Sequence, residues 1–475
     1  MLGLFGTLNL AARSLQTQMT GVEVSGQNLA NVNTTGYSRQ RVNIQTGPDV
    51  TTAIGPEGTG ANAVSIQQIV NSLLNHQIQS QQSTGGYWNA QQSALQSAQT
   101  NLNQFLNGTA NSSSTSSSAD SITSSGLSSQ LSGLFSAFQS LAASPTSMTA
   151  RQAVINQARN LASTFNQVDS QLKTLGDSLN TSLSQNVGSA NKLLSDIAGL
   201  NSEISAAEFN GGTANDLLDA REQDLENLSQ LVNVQTSTGT GDSVDVSIGG
   251  QSLVSGSQVL DTLQTYDAGN GRLLVQTATG GSPLTLTGGS IQGTIDVRDG
   301  ALATLHSSIS TLASNLITQV NTIHSGGYSL TSSFGANFFN GNSSSTITVN
   351  QSLADNPALI QASGSLTATG DNSVALALAQ LASAAQAGLN NQTFGDAYTQ
   401  TVASMGDALQ TANDQVNNQT VVTNMLQIQR GSVSGVNVDE EMTNLMGFQR
   451  AYEASAQLVT TINTLMGDTL AMKNS

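Results

Sequence analysis

Over the first thirty residues apolar side chains recur at Met1, Phe5, Leu8, Ala12, Leu15, Met19, Val22 and Leu29, a 4,3 alternation that fails only at Gly26. This spacing predicts a helix over residues 1–30 with a heptad seam along one face. Asn31, Asn33, Thr34, Thr35 and Gly36 follow; they bond their own backbone or accept positive φ, so the helix should stop there. Residues 37–60 read as extended, with Val42 and Ile44 alternating with polar positions ahead of Gly47-Pro48 and Gly55-Pro56.

From Ala61 to about Asn107 the apolar positions Val64, Ile66, Ile69, Val70, Leu73, Leu74 and Ile78, then Leu95, Leu102, Phe105 and Leu106, return to helical spacing. They predict one long helix with an interruption at Gly85-Gly86. Residues 108–128 are Ser-rich and almost uncharged, and read as a flexible loop. A second helical run covers Leu131 to Ala207, punctuated by Ser144-Pro145, and a third runs from Thr213 to Val232. In the third, Leu217, Leu218, Leu225, Leu228, Leu231 and Val232 form the apolar stripe, while Asp216, Asp219, Glu222, Asp224 and Glu226 are expected on a solvated face.

The period then changes to two. Between Asn233 and about Arg298, segments such as DSVDVSIGG, GRLLVQTAT, PLTLTGG and GTIDV are separated by Gly, Asn and Asp turns and predict a small β domain. Helical spacing resumes at Leu302, a Gly- and Phe-rich loop and the short strand TITVN follow, and from residue 370 the chain reads as helical nearly to its end, with a break near Gly431 to Asn437. In the last helix Leu445, Phe448, Tyr452, Val459, Ile462 and Met466 repeat the 3,4 alternation of the first, interrupted by Ser455.

The two ends thus mirror each other, and the order of elements predicts a nested α+β architecture. Mostly long α-helices form a coiled-coil or bundle arrangement in which both chain ends take part, with a small all-β domain inserted. The expected divisions are 1–60 with 438–475 for the terminal helical region, 61–232 with 301–437 for the helical bundle, and 233–300 for the β domain. An amphipathic helix as long as the first is stable only with its apolar face covered, by the last helix or by another molecule.

Composition narrows the function. Only 9% of the 475 residues are charged, against about 25% in a typical soluble protein, so Ser, Thr, Asn and Gln must build the surface. The formal charge of −17 argues against nucleic acid as a partner, since such a chain cannot neutralise phosphates. There is no cysteine, hence no disulfide, thiolate metal site or thiol nucleophile. No stretch is long and apolar enough to predict a membrane span, and the start lacks the basic region and cleavage site of a secretory signal.

No catalytic constellation is legible. GxSxG, HExxH and P-loop patterns are missing from the sequence, and each GxG lacks its third glycine. His76, His306 and His324 stand far apart without ligand-spaced neighbours and are expected at the surface. The acidic run at 216–226 lacks the glycine turn of a calcium loop. No cofactor, metal or enzymatic activity is expected.

One run carries more information. Gly26-Gln27-Asn28-Leu29-Ala30-Asn31-Val32-Asn33-Thr34-Thr35-Gly36-Tyr37-Ser38-Arg39-Gln40 resembles the N-terminal signature of the bacterial flagellar rod, hook and hook-associated axial proteins, and its Ser-Arg-Gln ending is most similar to the hook-associated members. Three further blocks agree, in the right order along the chain: Ala214 to Arg221 with Leu228-Ser229, Asn321 to Tyr328 with Phe338-Phe339, and Val438 to Met442 through Phe448 to Ala456. Two positions depart from the family. Thr35 stands where Pro is frequent, so the Thr34 to Tyr37 turn leans more on Gly36, and Ser329 replaces a common Asp.

The resemblance implies a structural, extracellular part of the flagellum at the junction of hook and filament, exported through the flagellum's own channel without a cleavable signal. It implies as partners the flagellar hook protein, a filament-side hook-associated protein, copies of itself and a cytoplasmic export chaperone holding the C-terminal helix. Paired terminal helices would form the inner tube of the assembly. On this reading Leu8, Leu15, Met19 and Val22 pack against Phe448, Tyr452, Val459 and Ile462 within a subunit and against neighbours, while Asn28, Asn31, Gly36, Tyr37, Ser38 and Arg39 fix the exit from the first helix. The alternatives are another axial protein, such as a filament-side junction protein or a flagellin, which would lack the Gly-Tyr-Ser-Arg-Gln block; a secreted enzyme on a flagellin-like frame; and an adhesin using the β domain.

Overall fold

Helix α1 (Leu4–Ala30) opens the chain and helix α11 (Val438–Lys473) closes it, and the two lie side by side. The computed structural model describes residues 3–52, 55–106, 126–209 and 211–473. Four strands follow α1: β1 (Gln40–Thr46), β2 (Val50–Thr52), β3 (Gly55–Glu57) and β4 (Ala61–Gln68). β4 pairs antiparallel with β1, with Val42 opposite Ile66 and Ile44 opposite Ala63. This corrects the helix expected from Ala61. Val64 is the unpaired residue of a bulge between the Asn43 and Ile44 pairings, and that extra apolar residue gave a two-residue period the look of a helical one. The hairpin also crosses the boundary expected at residue 60. Thr17 ties it to α1, its Oγ1 donating to the Ala61 carbonyl at 3.0 Å and accepting from the Ala63 amide at 3.2 Å.

Helix α2 (Ser72–Leu106) runs through Gly85-Gly86 without a break. Gly86 serves close approach: a Cβ there would lie 2.0 Å from the Gln230 carbonyl oxygen. Helices α3 (Leu127–Ala143), α4 (Met148–Phe209) and α5 (Asn215–Leu231) match the expected runs. Most of the Ser-rich loop lies outside the described residues, but its expected end does not, and Leu127 is fully buried at the start of α3.

The β region holds a four-stranded antiparallel sheet of β5 (Val234–Thr238), β6 (Val244–Ile248), β7 (Gln251–Ser255) and β8 (Gln258–Val259), and a separate pair, β9 (Leu263–Asp267) with β10 (Leu273–Thr277). The segment GTIDV, expected as a strand, belongs instead to helix α6 (Gly289–Val297). Ile291 and Ile295 are buried four residues apart, and a Cβ on Gly293 would sit 2.3 Å from the Tyr87 carbonyl oxygen, so α6 packs backbone to backbone on α2. A π-helical turn, Arg298–Leu302, leads into α7 (Ala303–Ser325). Strands β11 (Phe339–Asn340) and β12 (Thr348–Val349) pair, and α8 (Gln351–Asp355), α9 (Ser373–Gln380) and α10 (Phe394–Ser434) complete the chain before α11. Residues 381–393 are turns and a short 3-10 segment, where continuous helix was expected.

Two main cores result. One joins α2, α3, the first half of α4, α7 and the first half of α10 around Phe138, Phe165, Phe338, Phe339 and Phe394. The other packs the second half of α4, α5 and α6 against the sheet through Leu194, Ile197, Val246, Leu253 and Ile291. The architecture is α+β, dominated by long helices with an inserted small β region.

His324 departs from expectation. It is fully buried. Its Nδ1 donates to the Ala336 carbonyl at 2.8 Å and its Nε2 accepts from the Gln361 amide at 2.9 Å, a neutral ring whose pKa burial lowers to about 4. His76 and His306 are exposed. Ser329 does the work open to a carboxylate: its Oγ accepts from the Thr331 and Ser333 amides at 3.2 and 2.9 Å.

Candidate assembly interface

The pairing of α1 with α11 follows a heptad step, but not along the expected face. Ser14 Oγ meets Ser455 Oγ at 2.8 Å, Gly21 lies against the Phe448 ring, and Asn28 Nδ2 donates to Glu441 Oε2 at 3.1 Å. Seven residues forward on one helix matches seven back on the other, which makes the pair antiparallel. The same step would bring Thr7 level with Ile462, and Ile462 is buried.

The face of α1 used here is lined by small and polar residues, with Ala11, Thr17, Gly21, Ser25 and Asn28 buried together with Val24. The apolar seam read from the sequence sits about a third of a turn away. On it Phe5 is 74% and Met19 54% exposed, Ala12 is exposed, and Leu8, Leu15 and Val22 are half-buried. On α11, Phe448 and Val459 are half-buried, Ile462 is buried and Tyr452 is exposed. The expected packing of Met19 and Tyr452 inside the subunit is therefore not observed. Both face outward, because the smaller face of α1 lets the helices approach more closely.

At the exit of α1 the signature residues form a polar knot. The Tyr37 amide donates to the Thr34 carbonyl at 3.2 Å with Gly36 at φ +82°, the type II turn that Gly36 was expected to carry without proline. Asn31 caps the helix end, its Oδ1 accepting from Thr34 Oγ1 at 3.1 Å. Asn28 is buried and uses its whole amide. Oδ1 accepts from Tyr37 Oη and the Gln40 amide, both at 2.9 Å, and Nδ2 donates to the Gln40 carbonyl at 2.8 Å as well as to Glu441.

Arg39 closes the knot on α11. Its Nε donates to Glu441 Oε1 at 2.7 Å, and its two terminal nitrogens grip Glu440 at 3.0 and 2.7 Å. Glu440 and Glu441 stand in the first turn of α11, where carboxylates also favour the helix dipole. Glu441 is almost fully buried, so its charge is tolerated only because the Arg39 guanidinium and the Asn28 amide meet it.

Helix α5 supplies the other side, which corrects the solvated face expected for Asp219, Glu222 and Glu226, while Asp216 is exposed as expected. Asp219 Oδ2 accepts from the Ser38 amide at 2.8 Å, Asp216 Oδ1 accepts from Gln40 Nε2 at 2.8 Å, and Glu222 Oε1 accepts from Gln79 Nε2 at 2.9 Å. Glu226 is buried and paired with Arg430 of α10. Burial raises the pKa of both Asp219 and Glu222. Tyr37 is pushed up to about 12, first by burial and then by the carboxylates of Asp216, Asp219 and Glu441. Asp216, Asp219, Glu440 and Glu441 were not read as partners of the signature turn. All four lie in the blocks Ala214 to Arg221 and Val438 to Met442 that resemble the axial family, and Asp216 and Asp219, three apart, share a helix face.

The arrangement holds helices in register, and its polar groups are spent on one another. Among the described residues no group of three or more His, Asp or Glu could hold a metal ion, and no helix is long and apolar enough to cross a membrane.

Residues 113–339 match the family described as flagellar hook-associated protein FlgK helical domain, and residues 432–472 match the C-terminal family of the flagellar basal body rod FlgEFG proteins. The flagellar hook-associated protein 1 of Bacillus subtilis (strain 168) is 26% identical, covering 98% of both chains. That of Salmonella typhimurium is 24% identical, over 96% of this chain and 98% of its own. The chain is thus similar to flagellar hook-associated protein 1 over nearly its whole length. The solved structure of the flagellar hook junction protein FlgK from Burkholderia pseudomallei shares the fold, with a TM-score of 0.62 at 18% identity over 75% of this chain and 100% of that one. Within this chain, three sequence blocks far apart, around Asn28, Asp216 and Glu441, meet in a single knot.

Proposed function

We propose that the chain is a structural component of the bacterial flagellum that forms the junction between hook and filament by self-assembly, through the exposed seam of α1 and the adjoining face of α11. The observation that carries this reading is the division of labour on α1. Its small-residue face is covered by α11, while Phe5 and Met19 stand in solvent on a second, larger apolar face. A helix with one face covered inside the chain and large apolar side chains exposed on another is built for a neighbour.

The neighbours in this reading are the flagellar hook protein, a filament-side hook-associated protein and further copies of the chain. Leu8, Leu15, Met19, Val22, Phe448, Tyr452, Val459 and Ile462 are the proposed interface set, with Ile462 acting from inside the helix pair. The protein works at the extracellular flagellum without catalysing a reaction. Export through the flagellar channel, without cleavage of a signal and with a cytoplasmic chaperone on α11, belongs to the same proposal; N-terminal sequencing of protein sheared from flagella and co-purification from cytoplasm test those two parts.

The main test is complementation of a cell lacking the gene. Met19→Asp is expected to leave the purified monomer as heat-stable as wild type yet abolish filament attachment. Ile462→Asp should in addition loosen both terminal helices in the monomer. Normal filaments on cells carrying Phe5→Asp together with Met19→Asp would overturn the reading.

A further inference from the structure

The second half of α10 is apolar on two sides. Val422 and Leu426 pack on Leu74 and Ile78 of α2, which is the buried stripe an amphipathic helix needs. On another side Val421, Met425 and Ile428 are 69%, 60% and 75% exposed. They stand at i, i+4 and i+7, the spacing that makes a seam when a second helix covers it. The solvent face of a helix is ordinarily polar, so this one has the pattern of a helix with two partners.

Charge points to the second partner. Residues 415–429 contain no charged side chain, and Arg430, just beyond, is taken by Glu226. Copies of a chain with a net charge of −17 repel one another over most of their surface, and a charge-free apolar strip is where two of them can meet at least cost. The exposed apolar positions also continue along the chain into α11 at Val438, Met442 and Met446, on the helix assigned above to the contact between copies.

We propose that Val421, Met425 and Ile428 form a second contact between neighbouring copies of this chain, made by the helical bundle and separate from the α1 seam. The proposal rests on the assembly reading given above. In a closed ring of identical subunits such a contact is heterologous, this face of one copy meeting a different face of the next. A methionine at its centre suits a surface that must adjust to an unlike partner face.

The test places p-benzoylphenylalanine at Met425 of the full-length chain, in flagella of a cell lacking its own copy. Irradiation is expected to give a product of two copies of this chain, with the joined peptides read by mass spectrometry and the product lost when Val421→Asp and Ile428→Asp are added. A product joining the chain to a different flagellar protein, or no product in assembled junctions, overturns the proposal. The two aspartates lie on an exposed face and should leave the monomer's melting temperature unchanged; should they lower it, Ile428→Gln alone gives the same readout. Immunogold labelling keeps the two readings apart: a chain found away from the junction overturns both, whereas a chain at the junction without the cross-link overturns this one alone.

Discussion

The ring of Phe448 occupies the space that a side chain on Gly21 would need: a Cβ there would lie 2.5 Å from Cδ1 of the ring. Glycine in a helix interior costs about 1 kcal/mol relative to alanine, so α1 carries Gly21 for the approach it permits. Gly21→Val is expected to push the ring out and destabilise the terminal pair by about 1 to 3 kcal/mol, the usual cost of overpacking. Gly26, five residues on, has nothing within 4 Å of its Cβ site, and Gly26→Ala should gain up to about 1 kcal/mol. Hydrogen exchange of α1 amides in the two variants should therefore move in opposite directions.

Asn28 serves four hydrogen bonds from a buried position. Asn28→Ala leaves the Gln40 backbone and one side of Glu441 without partners, at a cost on the order of 2 to 4 kcal/mol. Asn28→Asp is expected to cost at least as much, because it sets a second carboxylate against buried Glu441. Urea unfolding followed by limited proteolysis checks both: the terminal helices should become cleavable in each variant while the bundle resists.

Gly86 and Gly85 are neighbours in sequence with different surroundings. A Cβ on Gly86 would meet the Gln230 carbonyl oxygen at 2.0 Å, backbone that cannot yield without moving α5, whereas on Gly85 it would meet only Gln419 Cγ at 3.3 Å. Gly86→Ala should destabilise by about 2 to 3 kcal/mol or more. Gly85→Ala should be close to neutral or stabilising. Thermal unfolding of the two single variants separates them.

His324 gives the fold an acid sensitivity. Its pKa is lowered from 6.5 to about 4 by burial, so the unfolded chain takes up a proton at a pH where the folded one does not. The neutral ring's contribution is fully present above pH 6.5 and is lost as the pH falls through that value toward 4. The gap corresponds to about 3 kcal/mol. Unfolding free energy measured from pH 7 to pH 4 should fall more steeply for wild type than for His324→Gln, which starts lower and has no proton to take up at that site.

The sequence showed where helices lie more readily than which face each one uses. Periodicity weighs large apolar side chains, so on α1 it selected Phe5, Leu8, Leu15 and Met19. The face that pairs is marked by smallness, at Ser14, Gly21 and Asn28, and smallness leaves no hydrophobic signal. On α11 the periodicity picks out Phe448, which meets Gly21, and Ile462, which is buried, because there the inward residues are themselves large. The acids of α5 looked solvated because their partners, a backbone amide at Ser38 and the side chains of Gln40 and Gln79, are brought in from distant parts of the chain. At β4 a single bulge residue, Val64, disguised the period, and at α6 the alternation of Ile295 and Val297 concealed the four-residue spacing of Ile291 and Ile295. The turn at Gly36 was legible because φ there is a local demand.

The hydrogen bond between Asn28 and Glu441 spans 413 positions, and this gives the molecule an order in time. When the chain emerges N-terminus first, α1 appears well before α11, and Gly21 and Asn28 must wait for Phe448 and Glu441. The two cores can close beforehand from residues already present. The completed knot therefore certifies that α11 has arrived, and a copy cut short before α11 would keep its bundle but never present the finished helix pair.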